Sequence, residues 1–377
     1  MKIQRAPEID NQLGKLRRAR GESAAQLANT AGVSRQTIYA IEAGNYIPNA
    51  IIALRLARAL DTSVEDLFRL TGDGGEADTR TEQAMFLSSE GDLQAGQPVQ
   101  LARVGKKLIA SIPSPIPCYL PPADALVSKK AAPLSMARVR LIRSADHFEN
   151  RVVVAGCDPG ISVLARHAQA AGIELVLVHR NSSQSLELLK KGCVHIAGSH
   201  LRDGTSGESN LPQIGRMFPS KSVAVISFAW WEEGIVTAPD NPKAIKTVED
   251  LARPDVSIVN REKGAGARLL LDQQLASLKM EALGVRGYQI NAQGHLDAAW
   301  QVAKGVADGC IAPRAAAQRF GLGFIPLARE RYDLAIRNRD LESTATETLF
   351  DIVNRAGFRR ELAKLGYDTG ASGQRML

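Results

Sequence analysis

The loop at residues 260–268, NREKGAGAR, holds the densest group of residue types suited to binding a ligand. Gly264 and Gly266 let a ligand approach the backbone closely. Arg261 and Arg268 supply guanidinium groups, whose planar forks of donors suit oxyanions. The loop lacks the G-x-x-x-x-G-K-[ST] pattern of a nucleotide P-loop and matches the dinucleotide fingerprint poorly. These residue types predict a small-molecule site, and a structural glycine turn with solvated charges is the alternative.

Further candidate ligand-binding residues lie where predicted strands give way to predicted helices. They are Asp158, Ser182, Ser183, His200 and His295. Ligands of open α/β folds bind at the carboxyl ends of strands, and helix N-termini there offer free N–H groups to anions. We therefore expect these residues to line one pocket with the glycine-rich loop. Two alternatives stay open: Asp158 would cap the helix behind it, and each histidine would be structural.

A segment near the N-terminus, SAAQLANTAGVSRQTIYAIEAGN at residues 23–45, predicts two short helices joined by a tight turn. Gly32 permits the turn, and Val33 would fill the space between the helices. Ser34 is a typical N-cap for the second helix. Ile38 and Ile41 give that helix a buried face. This pattern predicts a helix-turn-helix, and a small helical bundle for protein contact is the alternative.

The exposed face of this second helix carries side chains that read DNA. Arg35 suits guanine and Gln36 suits adenine, each through bidentate hydrogen bonds in the major groove. The candidates for phosphate contacts, which position a protein without reading sequence, are Ser34, Tyr39 and Asn45. Arg17, near the end of the first helix, is a further DNA-binding candidate that adds positive charge nearby. We therefore expect double-stranded operator DNA as a partner.

The C-terminal part of the chain alternates predicted strands and helices. RVVVAG, ELVLVHR and CVHIAG are short apolar runs separated by helical stretches, and the pattern resumes after residue 256. Such alternation predicts a parallel sheet of βαβ units, and its two halves predict two lobes. The run at residues 222–231 is about half as long as a membrane span. It predicts a buried strand, and we expect no membrane partner.

Composition shifts divide the chain into four segments. Residues 8–70 predict the all-α helix-turn-helix domain, and the glycine-rich residues 71–98 predict a linker. Residues 99–148 predict a small β-rich connector, because LARVGKKLIASI looks like two strands around a Gly-Lys turn and the prolines that follow exclude a helix. Residues 149–377 predict the α/β two-lobed domain.

The overall composition indicates a cytoplasmic protein. The formal net charge of +7 over 377 residues permits a nucleic-acid partner, and the charged N-terminus lacks the apolar core of a signal peptide. Cys118, Cys157, Cys193 and Cys310 lie far apart, so their spacing predicts neither a disulfide framework nor a metal site. We expect reduced thiols, and a redox role for Cys118 or Cys157 is the alternative.

The N-terminal segment resembles the Xre/Cro-type helix-turn-helix family. The pattern that carries the resemblance is LA-x-x-A-G-V-S-R-Q-T-I-x-x-I-E-x-G-x-x-x-P, from Leu27 to Pro48. The chain departs from it at Ala24, where the family often has a glutamine that contacts phosphate. The resemblance therefore implies that this contact is lost or taken over by Gln26.

The C-terminal half resembles the cytoplasmic periplasmic-binding-protein-like domain of molybdate-binding type. The matching motifs are HIAGSHLRD (195–203), SNLPQIGRMFP (209–219), DNPKAIKTVEDLARPDVSIVNREKGAGARLLLDQQL (240–275), GHLDAAWQVAKGVADG (294–309) and FGLGFIPLARERYDL (320–334). That family joins such a domain to an N-terminal DNA-binding domain, in the order found here.

The resemblance also implies which residues contact the ligand. They are Ser182, Ser183, Asn260, Arg261, residues 264–268 and His295. The family loop often reads N-R-x-x-G-S-G-T-R, whereas Ala265 and Ala267 stand here in place of the two hydroxyl residues. The expected effector is an oxyanion such as molybdate or tungstate, or, given the missing hydroxyls, a different anion or small organic anion.

Three functions fit these observations. The first is a one-component transcription regulator, acting as a homodimer or higher oligomer because one small helix-turn-helix reads a half-site. The second is an enzyme of similar two-lobed fold, which needs a nucleophile with a base or a metal cluster; Ser182 and Ser183 have no identifiable partner in the sequence. The third is a storage or delivery protein for an anion. We expect the first, and therefore a non-enzyme.

Overall fold

A computed structural model describes residues 9–70, 81–87, 95–112, 122–131, 136–143, 148, 151–203 and 207–377. The chain divides into two compact units, Met1–Thr79 and Arg80–Leu377. Cys118, one of the two candidate redox cysteines, lies outside the described residues. No helix in the described ranges combines the length and the apolar character of a membrane span.

The first unit is the predicted helix-turn-helix domain. Its elements are β1 (Ile9–Asn11), α1 (Leu13–Ala19), α2 (Ala24–Ala31), α3 (Arg35–Glu42), α4 (Ala50–Ala59), α5 (Val64–Leu67) and β2 (Phe68–Leu70). Leu27, Ile38 and Leu56 are fully buried where the helices meet. Gly32 has φ 66°, a left-handed conformation that ends α2 and turns the chain into α3. The predicted helix-turn-helix is confirmed, but the unit is not all-α, because β1 and β2 pair as a small antiparallel sheet that the helical periodicity of the sequence did not indicate.

The second unit begins with a closed five-stranded barrel. Its strands are β3 (Thr81–Phe86), β4 (Pro98–Val104), β5 (Lys107–Ser111), β6 (Ala125–Ala131) and β7 (Met136–Leu141), in the order β3-β5-β4-β6-β7. The predicted strand pair around Gly105 is β4 with β5. The linker prediction for residues 71–98 is wrong over β3, because Ala84 and Phe86 of that strand lie in the barrel core. Because glycine-rich residues flank β3 on both sides, its short sequence is difficult to recognise as a strand.

The barrel is fixed to the α/β domain that follows it. The Arg151 guanidinium, which is buried, donates to Asp124 Oδ2 at 2.5 Å and to the Leu101 carbonyl at 2.9 Å in the barrel. Arg180 donates to the Leu87 carbonyl. The apolar side chains of β4 and β5 share one core with those of β8 and β9. Barrel and neighbouring lobe therefore form one body.

The α/β domain is built on one eight-stranded sheet in the order β13-β12-β14-β11-β15-β10-β8-β9. Its elements are β8 (Val152–Gly156), α6 (Ile161–Ala170), β9 (Leu175–His179), α7 (Ser182–Lys190), β10 (Ile196–Ser199), α8 (Leu211–Met217), β11 (Val223–Thr237), β12 (Ile258–Arg261), α9 (Gly266–Ser277), β13 (Asn291–Ala292), α10 (His295–Ala303), β14 (Gly309–Pro313), α11 (Arg314–Phe320), β15 (Gly323–Arg337), α12 (Asn338–Leu341), α13 (Thr344–Asn354) and α14 (Ala356–Lys364). We call the part around β8–β10 lobe 1 and the part around β12–β14 lobe 2. The predicted two-lobed α/β architecture is confirmed.

Two long antiparallel strands, β11 and β15, run through both lobes. β15 pairs with β10 in lobe 1, while β11 pairs with β14 in lobe 2. Their register shifts between Ser227 and Ala229 and again between Glu233 and Gly234. Such bulges bend a strand and re-aim its side chains. The short stretch between the two bulges therefore lies where the lobes meet, and its buried side chains include Trp231 and Glu233.

Candidate functional site

The second helix of the helix-turn-helix, α3, presents the predicted DNA-reading side chains to solvent. Ser34 caps the helix, because its Oγ accepts the Thr37 N–H at 3.0 Å. Arg35, Gln36 and Tyr39 are all exposed. The Arg35 guanidinium donates to the Tyr39 hydroxyl at 3.0 Å and lies 5.3 Å from the centre of that ring. The two side chains thus form one polar face beside Gln36.

Two further predicted DNA contacts have different outcomes. Asn45 is exposed in the turn that follows α3. Arg17 is instead buried, and its guanidinium donates to Glu42 Oε1 at 2.6 Å, to Glu42 Oε2 at 3.0 Å and to the Glu22 carbonyl at 2.7 Å. The Arg17 side chain, which we expected to add positive charge beside the DNA, is thus engaged within the unit, where its donors hold α1 to the end of α3.

Gln26, the expected replacement for the missing phosphate contact at Ala24, is part of a capping box. Its side-chain oxygen accepts the Ser23 N–H at 2.8 Å, and its own N–H donates to Ser23 Oγ at 3.2 Å. Ala24 itself is buried. The Gln26 oxygen thus holds the start of α2 in place.

In the α/β domain the predicted ligand-binding loops meet between the lobes. Ser183 Oγ of lobe 1 donates to the Gly264 carbonyl of lobe 2 at 3.2 Å, and Asn181 Nδ2 donates to Glu262 Oε1 at 3.0 Å. A Cβ atom on Gly266 would lie 2.4 Å from His200 Cε1. Only glycine allows this approach, so the lobes are in contact across the cleft.

The centre of the cleft is a cluster of rings and carboxyl groups. The ring centroid of His200 lies 4.9 Å from that of Trp231, 5.4 Å from that of His295 and 6.0 Å from that of Tyr332. His200 Nδ1 is 2.8 Å from Glu330 Oε2, and His200 Nε2 is 3.4 Å from Cys157 Sγ. All of these residues are buried. Lobe 1, lobe 2 and both long strands each contribute to the cluster.

Several buried polar atoms of this cluster have no hydrogen-bond partner among the residues that the structure describes. They are both ring nitrogens of His295, both carboxyl oxygens of Glu233, Asp158 Oδ2, Arg261 Nη1, Trp231 Nε1 and the Tyr332 hydroxyl. An unpaired buried polar group costs about 1–3 kcal/mol, and this many in one place is unusual for a structural core. The cluster has the character of a binding site whose occupant supplies the missing partners.

The protonation states follow from burial and from the surrounding charges. Burial and the charge of Glu330 raise the pKa of Glu233 to about 8. Burial alone would favour a neutral His200 ring, but Cys157 and Glu330 raise the pKa of His200 well above its usual value. Burial and the charge of Arg261 lower the pKa of His295 well below its usual value. His295 is therefore a neutral ring, free to offer a lone pair.

Arg261 is the cationic residue of the cleft that the sequence predicted. Its side chain is 1% exposed, and its guanidinium donates to Glu262 Oε2 at 3.0 Å and to Glu262 Oε1 at 3.1 Å. Gly264, with φ 93°, and the buried Ala265 bring the chain from Glu262 to the start of α9. The charge of Arg261 is thus already balanced by Glu262, while Nη1 is left over.

Two family profiles match the chain, one in each of its two parts. The profile of the PBP superfamily domain matches residues 164–354. The chain belongs to the PBP superfamily. A helix-turn-helix profile matches residues 13–67, in front of the superfamily domain.

Relatives of this PBP superfamily protein cover its two parts separately. The uncharacterized protein YvgK of Bacillus subtilis is 33% identical over 228 residues, which are 60% of this chain and 73% of that protein. The uncharacterized HTH-type transcriptional regulator YgzD of the same organism is 42% identical over 62 residues, 16% of this chain and 94% of that one. A putative phosphate ABC transporter substrate-binding protein from Clostridium perfringens has 14% identity and a TM-score of 0.45, covering 58% of this chain and 99% of its own. The helix-turn-helix match, the relative YgzD and the PBP superfamily domain together support a DNA-binding regulator with a ligand-binding domain.

Three residues predicted to bind ligand in this PBP superfamily protein make contacts elsewhere. The Asn260 amide donates to the Tyr288 carbonyl at 3.1 Å and accepts the Arg261 N–H at 2.8 Å. Arg268 donates to the Arg261 carbonyl at 3.1 Å and lies 4.6 Å from the centre of the Tyr288 ring. The structure gives Asn260 and Arg268 a role within lobe 2. Ser182 Oγ accepts the His200 N–H at 3.1 Å and so positions that loop.

Asp158 combines the two roles that the sequence left open. Its Oδ1 accepts the Gly160 N–H at 2.6 Å and the Tyr367 hydroxyl at 2.7 Å, which fixes the turn before α6. Its Oδ2 is one of the unpartnered atoms of the cluster. Burial raises the pKa of Asp158 to about 6. One oxygen is thus structural, and the other is available to the cleft.

Sequence reasoning missed the acidic residues of the cluster. Glu233 and Glu330 sit in the long strands β11 and β15, where the register places Trp231 opposite Glu330. The available signal was the pair Glu232 and Glu233, two carboxylates inside the largely apolar run VAVISFAWWEEGIV. Cys157 was considered only for a redox role. The cysteine spacing predicted no metal site, yet donors from separate loops converge here.

A hollow of about 210 Å³, separate from the central cluster, opens beside Ser183. Its lining includes Arg202, Arg216 and Asn210. Arg216 donates to Asp203 Oδ2 at 2.8 Å, and Asn210 donates to Asp333 Oδ2 at 2.8 Å. Since these two polar side chains are already paired, the hollow has less need of an occupant than the central cluster.

Proposed function

We propose that this protein is a one-component transcription regulator in which an effector bound between the two lobes alters the affinity of α3 for operator DNA. The observation that carries the proposal is the set of unpartnered buried polar atoms at the lobe interface. A ligand that pairs with them stabilises the closed arrangement by its differential affinity for that arrangement. In this proposal the exposed side chains of Arg35, Gln36 and Tyr39 contact the operator, and the output is the change in their affinity for it.

The long strands β11 and β15 offer the path for lobe movement. Both cross from lobe 1 to lobe 2, and their bulges flank the residues that face the cleft. Hinge closure around a ligand uses a few residues that absorb the backbone change. We infer that the segment from Trp230 to Glu233 is this hinge, and that it senses the ligand directly through Trp231 and Glu233.

A dimer is part of the proposal. One helix-turn-helix of this size spans a half-site, and two-fold symmetric operators are read by paired domains. A regulator of chromosomal DNA also acts in the cytoplasm. Sedimentation of the full chain with and without a two-half-site DNA tests the dimer, which predicts two chains on each operator.

The effector is a small molecule or ion whose charge suits the cleft. Arg261 supports the oxyanions and small organic anions suggested by the resemblance. The buried carboxyl groups of Glu233, Glu330 and Asp158 weigh against a dianion, because a dianion would keep Glu233 protonated and be repelled by any carboxylate that is charged, whereas a cation favours the charged form of each group. A cation, or a ligand that carries a cationic group, suits the excess of acidic side chains in the cleft better.

An enzyme is the second candidate, favoured by one arrangement. Cys157, His200 and Glu330 lie in the order thiol, imidazole and carboxylate at 3.4 Å and 2.8 Å, which is the relation of nucleophile, base and orienting group. A compound that binds and is recovered unchanged after long incubation with the protein contradicts this candidate.

The proposal is tested by measuring stability and DNA affinity on the same protein. A ligand at a hundredfold its dissociation constant adds about 2.7 kcal/mol to the free energy of unfolding, so a thermal-shift screen over oxyanions, organic anions and metal ions finds it. Fluorescence anisotropy with an operator selected from random DNA then measures the coupling. We expect the operator affinity to change by roughly 5- to 150-fold. A bound ligand that leaves this affinity unchanged contradicts the proposal and favours a storage protein.

A further inference from the structure

We propose that the cleft binds a divalent transition-metal ion through Cys157, His200 and His295, with Glu233 as the fourth ligand. The inference deepens the proposed function by naming the class of the effector, and that part of it rests on the proposed function. The metal site itself stands on geometry alone and is tested separately.

The donor atoms of Cys157, His200 and His295 are already close enough to share one ion, and Glu233 borders this group through His295. The ligand atoms of Cys157, His200 and His295 all lie within 4.8 Å of one another. Cys157 Sγ is 3.4 Å from His200 Nε2, and His295 Nδ1 is 3.7 Å from Glu233 Oε1. A tetrahedral ion with bonds of about 2.0–2.3 Å separates its ligands by roughly 3.3–3.7 Å. Small side-chain movements therefore suffice to form the site.

The unpartnered atoms point to the same occupant. His295 is 1% exposed and Glu233 is fully buried, yet neither ring nitrogen of the first nor either oxygen of the second has a partner within the described part of the chain. An ion bound at this point takes one nitrogen lone pair and one carboxylate. The nucleophile reading of Cys157 and His200 leaves both His295 and Glu233 unexplained, whereas a metal ion uses all four residues.

Glu330 orients the proposed ligand His200 and does not bind the metal ion itself. Its carboxylate faces His200 Nδ1 at 2.8 Å and accepts the proton of that nitrogen, so that once a metal ion displaces the proton from Nε2, the lone pair of Nε2 is directed towards Cys157. Carboxylate–histidine pairs of this kind orient the ring and strengthen it as a ligand in metalloproteins. Glu330 is therefore a positioning residue of the site.

The ligand types select a class of metal. Thiolate and imidazole favour Zn²⁺, Co²⁺, Ni²⁺ or Cu ions, whereas Mg²⁺ and Ca²⁺ prefer oxygen ligands. The thiol of Cys157 and the carboxyl group of Glu233 lose their protons when a metal ion binds, and their charges then balance its double positive charge, while Arg261 is ion-paired to Glu262. The pocket accordingly suits a thiophilic divalent cation.

The ligands come from both lobes and from the strand that joins them. Cys157 and His200 follow β8 and β10 in lobe 1, His295 opens α10 in lobe 2, and Glu233 lies on β11. An ion that binds all of them must hold the lobes together. Metal binding and cleft closure are therefore one event, which is the property that an effector needs.

Cobalt titration of the full-length, chelator-stripped protein tests the site. We expect one Co²⁺ per chain, with the visible ligand-field bands of a tetrahedral site and a thiolate-to-cobalt charge-transfer band. C157S should lose the charge-transfer band and weaken binding by more than about 100-fold, and E330Q should weaken it by about 10- to 100-fold. C193S is the matched control, since Cys193 is also a buried thiol but lies against Met85, and it should retain both.

A second variant covers the case in which C157S does not fold. H295Q should weaken cobalt binding while the charge-transfer band persists at saturation, because the thiolate is still present. Failure of the stripped, folded protein to bind Co²⁺ or Zn²⁺ overturns the metal site, and so does a charge-transfer band that C157S keeps.

Operator affinity with and without Zn²⁺ separates the two proposals. Metal binding through the named ligands with unchanged operator affinity supports the site and overturns the effector role. No metal binding, together with an organic ligand that shifts operator affinity, overturns the metal site and leaves ligand-controlled DNA binding intact.

Discussion

The recognition helix α3 and the cleft cluster both depend on polar side chains, but they hold them in opposite states. On α3, Arg35, Gln36 and Tyr39 are exposed and fully formed before DNA arrives. In the cleft, His295 and Glu233 are buried and unpaired. The first surface needs no partner to be stable, whereas the second is costly until something fills it. Under the proposed function, this difference makes α3 an output surface that is already formed and the cleft the part that a ligand changes.

The largest effect is expected from the double variant R35A/Q36A. Each bidentate base contact contributes about 1–3 kcal/mol, so operator affinity should fall by about 2–6 kcal/mol in anisotropy titrations. The thermal shift produced by the cleft ligand should be unchanged, because the two regions lie in separate units. An unchanged operator affinity would show that the reading face has been misassigned.

The substitution G266A should force the cleft open without any ligand. The new Cβ would meet the His200 ring at 2.4 Å and the His200 carbonyl at 2.9 Å. Overpacking of this kind costs about 1–3 kcal/mol, so alkylation of the buried Cys157 thiol, followed by mass spectrometry, should be about 5- to 150-fold faster. The control is G215A, where no atom lies within 4 Å of the added methyl group. Equal alkylation rates in the two variants would contradict the closed cleft.

The variant R17M should destabilise the first unit, since it leaves the largely buried Glu42 carboxylate without its guanidinium. Hydrogen bonds to charged groups contribute about 1.5–3 kcal/mol. We expect the unfolding transition of that unit to move by this amount, with little change for R18M, because Arg18 is exposed. Loss of operator affinity at normal stability would restore Arg17 as a DNA contact.

The smallest effect concerns pH and His195, which lies outside both regions. Burial lowers the pKa of His195 to about 4, and its Nδ1 accepts the Val153 N–H at 3.0 Å. In the unfolded chain the imidazole of His195 has a pKa of about 6.5. The stability that the neutral ring adds to the folded state is therefore complete above pH 6.5 and is lost as the pH falls towards 4. Because the ring is partly exposed, the loss should be about 1–2 kcal/mol.

The variant H195N keeps an acceptor for the Val153 N–H but does not titrate. Its free energy of unfolding should therefore fall less steeply than that of the native chain between pH 6.5 and 4. Parallel curves for the two proteins would show that His195 does not carry this pH dependence.

The two regions also differ in how far the sequence predicts them. The helix-turn-helix was accessible because Gly32, Ser34, Ile38 and Ile41 act within one short segment. The pairing of Arg17 with Glu42 was not, because it joins α1 to the end of α3. The cleft loops could be placed at strand ends, but the acidic residues of β11 and β15 reach them only through the strand register. Nothing local in Cys157 or His295 signals that they meet.

The attachment of the barrel to lobe 1 gives the sensor a fixed frame of reference. Arg151 and Arg180 tie barrel and lobe together, so closure of the cleft is a displacement of lobe 2 against everything else in that unit. A molecule that grips the outer face of lobe 2 would therefore hold or release the closed state without entering the cleft.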